Sequence, residues 1–145
     1  MPRVEASVVI HRPVEEVFAF VSNLETHDQW ASGSSGVVKT SDGPLGVGTT
    51  YQGMIHFLGQ DIQWTSEVTR YQPHERVDFK YTAGPLRMVE SMTFDAVGGG
   101  TRITGVYEGE TGGFFKLAEA VVVRMFQRQV EGDLANLKSV MEAEA

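Results

Sequence analysis

The chain has no cysteine, so disulfides, thiolate nucleophiles and cysteine-held metal or iron–sulfur centres are excluded. It is also poor in positive charge, with 12 Lys and Arg against 19 Asp and Glu and a net charge of −7, and the basic residues form no cluster. That balance argues against nucleic acid or an anionic membrane as a main partner. The longest strongly apolar runs, such as Ala120 to Val123, fall far short of the roughly 18 residues a membrane-spanning helix requires. The N-terminus, MPRVEASVVIHRP, lacks a secretory apolar core and cleavage site, and a soluble cytoplasmic protein is expected. His11, His27, His56 and His74 are scattered without metal-binding spacing, so no metal is expected. Gly46-Val47-Gly48 runs on into a strand and lacks the third glycine of a dinucleotide loop. Gly33-Ser34-Ser35-Gly36 is no nucleophile elbow, which leaves covalent catalysis without an agent.

What is present is a period of two that recurs along most of the chain. At 145 residues a single domain with a sizeable core is expected. Val4, Ala6, Val8 and Ile10 alternate with mostly polar neighbours as a first strand. Pro13 suits the first position of a helix, where no N–H is needed, and Glu15 and Glu16 suit its positive end. Val14, Val17, Phe18 and Val21 then form one buried stripe. A loop follows, through Trp30 and the segment Ala31 to Gly36. From there to about Glu110 strand follows strand: Val37 to Ser41, Thr49 to Leu58, a stretch with Ile62, Trp64, Ser66 and Val68 on one face, one with Val77, Phe79 and Tyr81, one with Met88, Glu90, Met92 and Phe94, and one with Ile103, Gly105, Tyr107 and Gly109. Phe114 to about Glu142 reads as one long helix. Its second half carries the stripe Phe126, Val130, Leu134, Leu137 and Met141, while its first half is apolar over a wider arc with Arg124 and Arg128 beside it.

Five segments in this order, HRPVEEVFAFVSNLETHDQW, GVGTTY, SEVTRYQPHERVDF, GGGTRITGVYE and LANLKSVME, span nearly the whole chain. Together they resemble the START-like, Bet v 1-like (SRPBCC) superfamily, and within it bacterial polyketide cyclase/dehydrase-type and coenzyme Q-binding-type proteins. The resemblance implies an α+β helix-grip fold: a curved antiparallel sheet of about six to seven strands wrapped around a long C-terminal helix, with one or two short helices after the first strand. It also implies a ligand site between sheet and helix, and no cofactor. Fold does not by itself give activity, because superfamily members include carriers, enzymes and interaction modules.

The strand alternation names the residues expected to face that site: Tyr51, Ile55, Phe57, Trp64, Phe79, Tyr81, Met88, Glu90, Met92 and Tyr107 from the sheet. Leu117, Val121, Arg124 and Met125 are expected from the helix, and Trp30 from the loop, either guarding the mouth or packing beneath it. Around Tyr51 to Leu58 a one-residue bulge would give the opposite register, with Met54, His56 and Leu58 inward. Gly53, Gly105 and Gly109 remove volume from the inward face and leave room for a ligand. Glu90 is the anomaly, since its phase sets a carboxylate between Met88 and Met92. It is either buried, with Arg124 or Arg128 as partner, or turned out at a rim. The expected function is binding of a small apolar molecule such as a polyketide, quinone or lipid. One alternative is a cyclase or dehydrase using Glu90 and Tyr107 as acid–base groups, and another is an interaction module with an incidental cavity. A monomer or a homodimer fits equally.

Overall fold

The computed structural model describes residues 3–57, 59–83, 86–110 and 119–143. Its strands are β1 (Arg3–Ile10), β2 (Ser34–Lys39), β3 (Thr50–Phe57), β4 (Gln60–Gln72), β5 (Arg76–Ala83), β6 (Leu86–Val97) and β7 (Gly100–Glu110). A helix α1 (Val14–Ser22) and a 3-10 turn (Leu24–Gln29) lie between β1 and β2, and α2 (Glu119–Ala143) closes the chain. All strand pairs are antiparallel, in the order β1-β7-β6-β5-β4-β3-β2. This is the helix-grip architecture. Leu117 and Phe114 lie outside the described residues.

The topology follows from how β1 is used. It pairs with β7, from Arg3↔Glu108 to Ile10↔Thr101, so the chain must cross from one sheet edge to the other before β2 begins the return meander. Helix α1 and the 3-10 turn make that crossing. Pro13, with φ −61° and ψ 148°, is the extended cap of α1 rather than its first helical residue, because its ψ belongs to the incoming strand conformation. The α1 stripe buries Val17, Phe18 and Val21, and Phe18 packs edge-on against Tyr71 and Phe94 with ring centroids 5.4 and 5.1 Å apart.

Two strands depart from the periodic reading. Strand β2 begins at Ser34, inside the segment read as loop, and its pairing with β3 slips between Ser35 and Val38. Gly33 is required at its start: it has φ +79°, and a Cβ there would lie 2.5 Å from the His56 carbonyl oxygen. The β4–β5 register also shifts between Val68 and Arg70, which carries both Val68 and Tyr71 to the inner face and bends the sheet.

Helix α2 runs closest to β1. Gln127 Nε2 donates to the Glu5 carbonyl at 2.9 Å, Lys138 Nζ to the Val9 carbonyl at 2.8 Å, and the His11 N–H to Glu142 Oε2 at 2.9 Å. Val130, Leu134, Leu137 and Met141 are buried as their spacing predicts. With α2 held along one edge strand, a gap opens between it and the middle of the curved sheet. Among the described residues no helix is long and apolar enough to cross a membrane.

Candidate functional site

That gap is a cavity of about 310 Å3, near the lower end of the range that small-molecule sites occupy. The sheet contributes Val4, Ile55, Phe57, Ile62, Trp64, Tyr81, Met88, Glu90, Tyr107 and Gly109; α2 contributes Val122, Val123, Phe126, Gln129, Val130, Asp133 and Leu134. The 3-10 turn and the residues after it add His27, Trp30, Ala31 and Ser34. A second hollow of about 490 Å3 between β1 and α2 has the exposed Glu5 and Glu131 on its edge but none of the buried titratable groups, which gather instead around the 310 Å3 cavity.

Of the residues expected at the site, Trp30, Ile55, Phe57, Trp64, Tyr81, Met88, Glu90 and Tyr107 line this cavity. Ile55 and Phe57 settle the β3 register, with Tyr51 and Gly53 on the same inward face. Tyr51, Phe79 and Met92 face inward but are fully buried in the core and are not part of the cavity wall. The Tyr51 hydroxyl sits by the Leu24 backbone, and burial pushes it up to about 12.

The helix residues require correction. Val121 is 60 % exposed, Met125 is 44 % exposed, and Arg124 is exposed too, so all three face away from the cavity. The first turns of α2 are apolar over a wide arc that holds two possible faces. The helix is one rigid rod, so its rotation is set by the packed second half. Continuing the stripe of Val130 and Phe126 back by three and four residues gives Val123 and Val122, the residues that line the cavity. That spacing was the available signal. Leu117 lies outside the described residues.

The glycines also act differently from expectation. A Cβ on Gly53 would fall 2.6 Å from Trp64 Cζ2, and one on Gly105 would fall 3.1 Å from Met92 Sδ. Both make room for a protein side chain rather than for a ligand. Gly109 alone of the three lines the cavity.

Glu90 is 5 % exposed and is not paired with an arginine, Arg124 and Arg128 both being exposed. Its partner is Tyr81, whose hydroxyl donates to Glu90 Oε1 at 2.7 Å. The pairing arises from the sheet, because Tyr81 stands opposite Met88 on β6, one inward step from Glu90. Tyr107 lies directly across from Glu90 on β7, close enough for its hydroxyl to favour the carboxylate, while that hydroxyl donates to Met92 Sδ at 4.0 Å. Burial raises the Glu90 carboxyl above its ordinary range, and the two tyrosine hydroxyls only partly offset that. Burial, followed by the nearby carboxylate, raises Tyr81 and Tyr107 well above 10, so both remain donors at any physiological pH. Trp64 packs edge-on to Tyr81, and Phe126 to Tyr107, each at 5.4 Å, which holds the donors in place. The result is a buried carboxyl, raised above its ordinary range, set among aromatic rings on the sheet side of the chamber.

Sequence reasoning missed the polar groups of the other wall. The loop after Trp30 is tied to α2 by Ser32 N–H to Asp133 Oδ1 at 2.8 Å, Gln129 Nε2 to the Ser32 carbonyl at 3.1 Å, and Asn136 Nδ2 to the Trp30 carbonyl at 3.3 Å. Burial raises the Asp133 carboxyl, against the pull of Ser32. His27 is partly covered as a residue, but its Nε2 is fully buried, and desolvation lowers the imidazole from 6.5 to about 4. No periodic pattern marks His27, Gln129 or Asp133. Among the described residues no three His, Asp or Glu gather as a metal site.

The model of the family described as polyketide cyclase / dehydrase and lipid transport matches residues 1–142. The crystal structure of TTHA0849 from Thermus thermophilus superposes with a TM-score of 0.84 at 23 % identity, covering 99 % of this chain and 100 % of that one. The di-domain ARO/CYC BexL from the BE-7585A biosynthetic pathway gives 0.78 at 18 % identity over 98 % of this chain and 47 % of its own. Ara h 8.0201 gives 0.73 at 14 % identity over 97 % of both. No curated protein matches the chain.

Proposed function

Because this chain belongs to the polyketide cyclase / dehydrase and lipid transport family, we propose that it binds one small, largely apolar molecule between the sheet and α2. The observation that carries this reading is the cavity itself: about 310 Å3, walled mainly by aromatic, aliphatic and methionine side chains, with a carboxyl at Glu90 on the sheet and another at Asp133 on the helix. Apolar walls supply affinity through area removed from water, and a few fixed polar groups set orientation. The occupant in this reading is a fused-ring or short-chain molecule of the polyketide, quinone or lipid kind.

Equilibrium dialysis against naphthalene tests it. Saturable binding of one molecule, lost in Val123→Trp where the new ring would fill the cavity, is the expected result. Absence of binding, or equal binding by the filled variant, overturns the reading.

Glu90 supports a second reading, as an enzyme. A buried carboxyl with a raised pKa and a fixed hydroxyl partner can take a proton from carbon beside a ketone and return it to a departing hydroxyl. The products are then an alkene and water, and the carboxyl ends as it began. The structural likeness to the ARO/CYC protein BexL is in line with such chemistry. Glu90→Gln would abolish turnover of a β-hydroxyketone while retaining binding, and unchanged turnover would remove Glu90 from the reaction.

A further inference from the structure

The wall formed by the 3-10 turn and the loop after it offers a hydrogen-bonding group that the Glu90 cluster does not use. Trp30 lines the cavity and is 5 % exposed, and its indole Nε1–H is fully buried with no acceptor among the described residues. The neighbouring His27 ring, 4.5 Å away between centroids, likewise lines the cavity and has a buried, unpartnered Nε2. Asp133 shares that wall, but it accepts from the Ser32 N–H rather than from the indole. The Trp30 backbone is held by its N–H donating to the His27 carbonyl at 3.1 Å and by its carbonyl accepting from Asn136, and the indole is packed in the core against the His27 ring.

An indole N–H can only donate, so its missing partner is an acceptor. Buried donors are normally satisfied, and one left over at a cavity wall is a place where a ligand completes the count. We propose that Trp30 Nε1–H is a second anchoring point, receiving a carbonyl or ether oxygen of the bound apolar molecule separately from Glu90. This rests on the cavity-binding reading and narrows it: the ligand is an apolar body bearing at least one acceptor oxygen directed at Trp30, with a further polar group welcome at Glu90.

Acetylnaphthalene and naphthalene differ by one acceptor oxygen on a small side group, and Trp30→Phe removes the donor while keeping an aromatic ring. In equilibrium dialysis with the full chain, the variant should weaken binding of acetylnaphthalene about three- to tenfold more than it weakens binding of naphthalene, the range expected of one hydrogen bond. A measurement on the unaltered protein avoids dependence on the variant's folding. In a proton–nitrogen correlation spectrum the two indole N–H signals come from Trp30 and Trp64. Selective paramagnetic or nuclear Overhauser contacts to the ligand methyl group identify the one at the acetyl end, and that signal should move further downfield with the ketone than with naphthalene. Equal weakening of both ligands in Trp30→Phe, or no extra downfield shift, overturns the anchoring role while leaving the cavity-binding reading intact. If neither compound binds the unaltered protein, the cavity-binding reading fails and takes this one with it.

Discussion

Acidification should destabilise the protein through His27, and the size of the effect follows from its burial. The ring is neutral in the folded chain until about pH 4, whereas in the unfolded chain it takes up a proton near 6.5. A depressed native pKa means the stability is intact above 6.5, falls as the pH drops from 6.5 to about 4, and is lost in full below that. At about 1.4 kcal/mol for each pH unit, this window amounts to about 3 kcal/mol. Such a loss is a large part of the roughly 5–15 kcal/mol by which domains are usually stable. The carboxyls complicate the raw profile. Glu90 and Asp133 have raised native pKa values, so they take up protons more readily in the folded chain and favour it as the pH falls. Comparison with His27→Asn, which cannot titrate, isolates the ring. Urea unfolding at a series of pH values between about 7.5 and 4, followed by circular dichroism, should show the wild type losing about 3 kcal/mol relative to the variant over that range. Any constant offset between the two proteins reflects packing and is irrelevant. Parallel profiles would refute the reasoning, since they would mean that His27 accepts a proton in the folded state and that this cavity wall is wet.

Three other outcomes are expected. Glu90→Gln should gain on the wild type as the pH rises from about 5 to 8 in thermal melts, because the raised native pKa makes the buried carboxyl increasingly unfavourable above 4.5, where the unfolded chain ionises; a pH-independent difference would contradict the burial of the charge. Tyr81→Phe removes the donor at 2.7 Å from Glu90 and should cost about 1.5–3 kcal/mol in urea unfolding near neutral pH. Gly53→Ala sets a methyl 2.6 Å from the Trp64 ring and should cost about 1–3 kcal/mol, with a shift in tryptophan emission as the ring moves. An unchanged emission maximum would show that the ring is not where the clash requires.

Much of the container was legible in the chain. Period-two alternation put Trp64, Tyr81, Met88, Glu90 and Tyr107 on one face, because successive side chains of a strand must point to opposite sides. The α2 stripe from Phe126 to Met141 was readable for the analogous reason at a period of 3.6. The failures share a cause. The Glu90 partner was sought on the facing helix and is in fact a strand neighbour, Tyr81, one register step away. Val121, Arg124 and Met125 were placed by a locally apolar arc, whereas the rotation of α2 is decided more than a turn later by Val130, Leu134 and Leu137 packing along β1.

Local order along the chain therefore determined which side chains face the interior, since strand and helix geometry repeat over a few residues. Only the tertiary structure decided which of those residues border open space and which are plain core, as the difference between Tyr81 and Phe79 shows. It alone also decided that His27 and Trp30 share a wall with Asp133, about a hundred residues later in the chain. Such meetings depend on how far α2 stands from a bent sheet, a distance set by strand bulges and by contacts at the sheet edge, and no short stretch of sequence encodes it.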